Sequence, residues 1–301
     1  MSTAQTKHRI DASPARAGLT RIAGALLAAG SIACCTLATA QTATLTVPKT
    51  YKLVWADEFD AAGLPDPAKW EHDTSRNKVG WHNNELQYYS APRAENAVVK
   101  DGKLVITARL ESLTGAADWG GQRYTSARLN TRGKNDWTYG FFEVRAKLPC
   151  GKGTWPAIWT LGSKGRWPDD GELDIMEFVG SNPTRVQSAV HTLSAFGAQG
   201  VVGASAITNA CGEFHNYQML WTDKEAAFGV DGKVHLRYPN RGSGARQWPF
   251  DAPQYVVLNV AIGGDLGGQV DDAIFPVTME IDYVRVYRDQ IPPPRRQAVR
   301  Y

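Results

Sequence analysis

Glu172-Leu-Asp-Ile-Met-Glu177 places three carboxylates within six residues of a stretch that otherwise reads as a buried strand. Ionised carboxylates leave water only when they are paired, hydrogen-bonded or used. Alternate residues of a regular strand share a face, so Glu172 and Asp174 point one way while Leu173 and Ile175 enter a core. Glu177 then falls on the core side. A one-residue β-bulge around Met176 removes this conflict, because it resets the alternation and returns Glu177 to the side of Asp174. Two carboxyls on one strand face suit glycosidic cleavage by double displacement, which needs them about 5–5.5 Å apart. In that scheme Glu172 is the nucleophile and Glu177 protonates the leaving oxygen, then deprotonates the incoming water. Asp174 sits between them, shares a proton with its neighbours, raises the proton affinity of Glu177 and orients Glu172. The bland alternative, a solvated acidic edge, fails on Leu173, Ile175 and Phe178, which demand a buried opposite face.

Aromatic residues flank this run. Trp155, Ala157 and Trp159 share one face of a strand, with Ile158 on the other, and Trp167-Pro-Asp-Asp-Gly171 leads directly into Glu172. Indole faces stack on the C–H edges of sugar rings, so Trp155 and Trp159 can each hold one sugar unit. Pro156 lacks a ladder donor and predicts an edge strand or a bulge. Trp70, Trp137 and Trp221 read as core. Asn84 offers an amide to sugar hydroxyls, or else serves turn geometry. Arg128 is either a multi-donor hydroxyl binder or one half of a surface salt bridge. A hairpin of Glu172–Val179 with Val186–Leu193 sets His191 opposite position 174, where orienting the acids outranks proton transfer as its role.

The elements that position these groups are strands. Leu104, Ile106, Ala108 and Leu110 alternate with Lys103, Val105, Thr107 and Arg109, and Phe142, Val144, Ala146 and Leu148 alternate with polar residues without a break. Tyr255–Ile262 is apolar on both faces and suits a central strand, and Met279–Tyr287 closes the domain. Asp231-Gly232 between Val230 and Lys233 is the signature of a type I′ hairpin. Long helical periodicity is absent, and turn residues recur at the spacing of a sandwich. The fold class is therefore all-β: a two-sheet antiparallel β-jelly-roll sandwich, concanavalin A-like.

Residues 1–40 read as a secretory signal peptide: Lys7, Arg9, Arg16 and Arg21 precede an apolar run from Ile22 to Leu37 and a small-residue Ala38-Thr39-Ala40 site. Lipid attachment at Cys34 or Cys35 is the competing reading. Residues 41–290 form one catalytic domain, and 291–301, with three consecutive prolines and nothing to bury, form a disordered tail. These features predict a secreted or periplasmic protein with no membrane contact in its mature form, acting as a monomer. The span Gln41 to Pro294 carries 26 basic and 29 acidic residues, so it has no electrostatic footprint for nucleic acid. Cys150 and Cys211 are either a disulfide or two buried thiols.

Taken together, Glu172–Glu177, Gly153-Thr-Trp-Pro-Ala-Ile-Trp159 and Val190-His-Thr192 resemble glycoside hydrolase family 16, specifically its bacterial laminarinase-like endo-1,3-β-glucanases. The resemblance extends from Val54-Trp-Ala-Asp-Glu-Phe59 through Asn83–Tyr89 to Ile281–Tyr287. It implies a jelly roll with a sugar cleft, net retention, a β-glucan polysaccharide as partner, and no cofactor for catalysis. It carries nucleophile, assisting acid and acid/base onto Glu172, Asp174 and Glu177, and substrate-binding subsites onto Asn84, Arg128, Trp155 and Trp159. It also implies a structural Ca2+ at Glu58, Gly102 and Asp282, although Asp282 also suits a strand cap. Mixed-linkage 1,3-1,4-β-glucan is a second substrate, and transglycosylation or glucan binding without catalysis are the competing activities.

Overall fold

Strict alternation does what it predicts where both neighbours are strands: Phe142, Val144, Ala146 and Leu148 are all buried, with Glu143 and Arg145 on the other side. The computed structural model describes residues 44–290; the expected leader, its cysteines and the expected tail lie outside them. The first strands are β1 (Tyr51–Asp57), β2 (Glu71–His72), β3 (Gln87–Tyr89), β4 (Ala97–Lys100), β5 (Lys103–Leu110) and β6 (Tyr124–Ser126). Next come β7 (Arg128–Asn130), β8 (Gly140–Lys147), β9 (Thr154–Gly162), β10 (Glu172–Phe178), β11 (Arg185–His191) and β12 (Val201–Ala206). The last are β13 (His215–Trp221), β14 (Glu225–Val230), β15 (Lys233–Pro239), β16 (Gln254–Ile262) and β17 (Val277–Asp289).

These strands build two sheets. A ten-stranded sheet runs β15-β14-β13-β8-β17-β5-β6-β3, with β1 on β17 and β4 on β5. A seven-stranded sheet runs β12-β11-β10-β9-β16-β7-β2. All pairings are antiparallel except β3 with β6. The sheets pack face to face. One apolar cluster unites Leu104, Ile106, Phe142 and Val144 of the first with Ile158, Leu173, Phe178 and Leu258 of the second. Each such side chain contributes about 1.5–3 kcal/mol by leaving water. Trp70, Trp137 and Trp221 are buried among them, as their apolar context predicts. The architecture is the expected β-jelly-roll sandwich.

Local predictions hold in detail at several points. Val230 pairs with Lys233 across Asp231 and Gly232, whose φ values of 49° and 78° are the two positive angles a type I′ turn needs. β16 is buried along its entire length and lies between β9 and β7. Cys150 and Cys211 form a disulfide with a Cα–Cα separation of 5.8 Å. Of the two settings expected for Pro156, the edge strand is not found and the bulge is, in the partner strand β10. β9 is an interior strand, between β10 and β16. The proline is matched to Val260 of β16, while the register toward β10 ends one residue earlier, at Ala157–Glu177. Its missing N–H therefore falls where that ladder has already stopped. Leu110 is also exposed, at the end of β5.

Candidate active site

The acidic strand β10 is bulged where its sequence requires it. The register with β9 shifts between Asp174 and Met176, and that with β11 between Asp174 and Glu177. Ile175 and Met176 are both buried, at 1% and 0% exposure. The side-chain order is thus out at Glu172, in at Leu173, out at Asp174, in at Ile175 and Met176, and out again at Glu177. Three carboxyls share the outer face of the seven-stranded sheet.

Each acid has defined partners. Trp167 Nε1 donates to Glu172 Oε2 at 2.5 Å. Trp155 Nε1 and Gln187 Nε2 donate to the two oxygens of Glu177, each at 3.2 Å. Gln187 is itself fixed by Arg185, whose guanidinium donates to its carbonyl at 2.6 Å. Glu172 and Asp174 stand side by side on this face, close enough for the charge of Asp174 to raise the proton affinity of Glu172. His191 Nε2 lies 3.2 Å from Asp174 Oδ2, at ion-pair distance but without hydrogen-bond alignment. Ligand atoms of Glu172, Asp174 and His191 all fall within 4.8 Å of one another.

Burial dominates the electrostatics. It pushes Glu172 well above the ordinary carboxyl range, with the charge of Asp174 adding to the rise. Asp174 is raised by burial and then by Glu177. Glu177 is raised by burial, against the hydrogen bond from Gln187. A crowded set of carboxyls whose proton affinities are raised by burial can supply an acid, while the carboxylate relieved of its proton supplies a nucleophile.

One side of the acids is paved by rings and amides. Trp159 faces Asp174 in the register, and its Nε1 donates to Asn259 Oδ1 at 2.7 Å. Asn259 Nδ2 donates to Tyr89 Oη at 3.0 Å. Glu85 accepts from Gln87 at 2.7 Å and from Tyr89 at 3.3 Å; burial raises its proton affinity. The Arg128 guanidinium lies over Trp81 and Trp159, at 5.1 and 4.7 Å from their ring centres.

A family model described as Glycosyl hydrolases family 16 matches residues 75–285. The chain belongs to glycosyl hydrolase family 16. It is 47% identical over 252 residues to a Beta-glucanase of Rhodothermus marinus, covering 79% of this chain and 85% of that protein. A Glucan endo-1,3-beta-glucosidase A1 of Niallia circulans is 35% identical across 79% of this chain, which spans 38% of that longer protein. Among solved structures, SCLam, titled a non-specific endo-beta-1,3(4)-glucanase, superposes with a TM-score of 0.80 at 52% identity, covering 82% of this chain and 94% of its own. A mutant of SCLam was co-crystallised with an oligosaccharide, presenting a 1,3-beta-D-cellobiosyl-glucose at its active site.

In this family 16 hydrolase the structure gathers Glu172, Asp174, Glu177, Trp155, Trp159 and His191 through the neighbouring strands β9, β10 and β11. His191 needs a correction: it pairs with Glu172, not with position 174, which faces Ala189. The turn and the bulge together move the register by two, and His191 reaches Asp174 diagonally. Arg128 makes the ion pair of its second reading, 3.1 Å from Asp73, and its guanidinium also lies over Trp159. Asn84 is exposed and donates to Asp265 at 2.7 Å from a left-handed backbone at φ 57°, so its turn role is fulfilled too. Sequence assigns no role to Gln187, Asn259 or Glu85, and takes Trp167 only as an aromatic flanking the acids. Asn259 had a signal, as the one amide inside an apolar strand, and Gln187 had another, by sharing alternation with His191.

The residues matched to a metal site converge from three strands. Asp57 pairs with Val284 and Leu104 with Ile281, which brings Glu58 and the turn at Gly102 beside Asp282, where β17 is itself bulged. Both Glu58 oxygens accept from Arg285 at 2.8 Å, and Asp282 Oδ2 accepts from Arg145 at 2.5 Å. The Glu58 and Gly102 carbonyls with the second Asp282 oxygen would make an all-oxygen donor set, whose chemistry suits a hard cation such as calcium.

Proposed function

We propose that this family 16 hydrolase is an endo-acting β-glucanase that cuts 1,3-β-D-glucosidic linkages of laminarin-type glucans with net retention. The bulged strand presenting Glu172, Asp174 and Glu177 together carries the reading. Glu172 attacks the anomeric carbon as the glycosidic C–O bond breaks, and Glu177 gives its proton to the departing oxygen. Glu177 then takes a proton from water, whose oxygen attacks the same carbon and releases Glu172. Asp174 holds a proton against Glu172 and yields charge to it as attack proceeds, while His191 orients Asp174. Trp155 and Trp159 offer stacking faces, and Arg128, Asn84, Asn259 and Glu85 offer polar groups, to the sugars on one side of the scissile bond.

Mixed-linkage 1,3-1,4-β-glucan is the second reading, favoured by the similarity to SCLam, a non-specific endo-beta-1,3(4)-glucanase. Digestion of laminarin and lichenan, with products resolved by size and the first-formed anomer read by proton NMR, separates these alternatives. A β-anomer released internally from laminarin is the expected outcome. An α-anomer formed first excludes retention, and equal rates on both glucans exclude strict 1,3 specificity. Loss of reducing-sugar release in Glu172→Gln distinguishes an enzyme from a glucan-binding protein.

A calcium ion would be held by the Glu58 and Gly102 carbonyls and one Asp282 oxygen, supplying rigidity where β1, β5 and β17 meet. Export is supported by the basic-then-apolar leader and by the Cys150–Cys211 pair, which persists in oxidising compartments.

A further inference from the structure

The bulge that aims Glu177 leaves a carbonyl to be satisfied inside the core. Ser188 of β11, itself fully buried, lies 2.8 Å from the Ile175 carbonyl oxygen. It also lies 2.8 Å from His235 Nε2. A carbonyl only accepts, so the hydroxyl proton of Ser188 goes to Ile175. The histidine must therefore donate from Nε2, which leaves Nδ1 as a bare acceptor. Nδ1 is indeed buried without a partner.

His235 belongs to the opposite sheet. The β14–β15 register passes from Phe228–Leu236 to Gly229–Val234, so His235 is the extra residue of a second bulge. Gly203, paired with Ser188, lets it approach: a Cβ there would stand 2.6 Å from the His235 carbonyl and 2.6 Å from Leu236 Cβ. Two bulges in two sheets are thus bolted together through one hydroxyl, directly beneath the acid strand.

We propose that Ser188 and His235 are positioning residues that clamp the Ile175 carbonyl and so fix where Glu177 points. This rests on the reading of Glu177 as the acid that protonates the leaving group. Removing the clamp frees the kink, and a displacement of about 1 Å at a reacting group can cost a hundredfold in rate. The loss falls on the proton-transfer step and not on sugar binding, because neither residue reaches the outer face of the sheet.

The test compares Ser188→Ala, His235→Leu, His235→Gln and Glu177→Gln on laminarin and on a dinitrophenyl β-glucoside oligomer, whose leaving group needs no proton. Initial bursts of dinitrophenolate report the first displacement. Ser188→Ala and His235→Leu are expected to lower kcat on laminarin by about tenfold with KM within twofold, while the dinitrophenolate burst stays near that of the parent. His235→Gln, which keeps an N–H near the Nε2 position, restores most of kcat. The clamp is overturned if Glu177→Gln shows this leaving-group split and the clamp variants, melting lower or not, retain the parental kcat. It is also overturned if they lose both substrates equally. Should Glu177→Gln lose both substrates equally, the acid assignment itself fails, and the clamp proposal with it. If Ser188→Ala does not fold, the His235 pair carries the same comparison.

Discussion

Trp167 and Glu172 are joined by an indole N–H at 2.5 Å, from a side chain that is half exposed and stands at the mouth of the acid strand. The contact explains why an aromatic residue stands in the segment leading into the carboxylates. A donor on Glu172, the proposed nucleophile, stabilises its ionised form and fixes its rotamer. The same ring stands edge-on to Phe196 at 5.4 Å and lies 6.4 Å from His191, so the tryptophan is held from behind.

Trp167→Phe keeps the ring and deletes the donor. A hydrogen bond to a charged group is worth about 1.5–3 kcal/mol, so kcat should fall by roughly tenfold to a hundredfold with the fold intact. Steady-state kinetics on laminarin checks this, and an unchanged kcat would show that the N–H does not support the nucleophile.

Glu172→Gln should make the protein more stable at neutral pH while abolishing hydrolysis. Burial and Asp174 raise the folded proton affinity of Glu172 above its unfolded value. Its contribution to stability is therefore full at acidic pH and is lost as pH rises through the folded value. The amide keeps the bond from Trp167 and donates to Asp174 without carrying charge. Melting temperature should rise by a few degrees at pH 7, on the order of 1 kcal/mol, and hardly at pH 4. Equal shifts at both values would contradict the charge argument.

His235 works in the opposite direction. Burial lowers it to about 4 from 6.5, so its stabilising neutral form is complete above the unfolded value and is lost as pH falls from 6.5 toward 4. The side chain is only partly buried, which holds the effect to about 2 kcal/mol or less. Urea unfolding at pH 7 and pH 4.5 should show the parent losing more stability than His235→Gln. Identical losses would place the acid sensitivity elsewhere.

The Cys150–Cys211 bond closes a segment with a sequence separation of 61 that contains the whole acid strand. Chain-entropy arguments give a loop of this length about 4 kcal/mol. Reduction, or the double substitution Cys150→Ala with Cys211→Ala, should lower the melting temperature clearly. A transition unmoved by reductant would mean the thiols are unpaired in solution.

Much of the acid site is legible in one short stretch. Leu173, Ile175 and Phe178 demand one face and Glu172, Asp174 and Glu177 the other, and a bulge is the local geometry that satisfies both. The Asp231-Gly232 turn, the buried strand β16 and the fully alternating β8 are local in the same sense, because side-chain periodicity and φ preferences act between residues adjacent in the chain. What depends on a neighbouring strand carries less local signal. Pro156 signals an edge or a bulge through its lost donor, but that the strand is interior and that the bulge lies in its partner β10 is not visible in sequence.

Sequence alone thus determined which side chains could be acid, nucleophile and sugar platform, and that their strand must kink. Only tertiary structure decided that Trp167 grips Glu172, that Asn259 ties Trp159 to Tyr89, and that Ser188 and His235 meet beneath the kink. Those contacts join residues up to 170 positions apart. Their existence depends on how two sheets stack and how registers slip by a residue at each bulge, quantities set by the packing of the whole core.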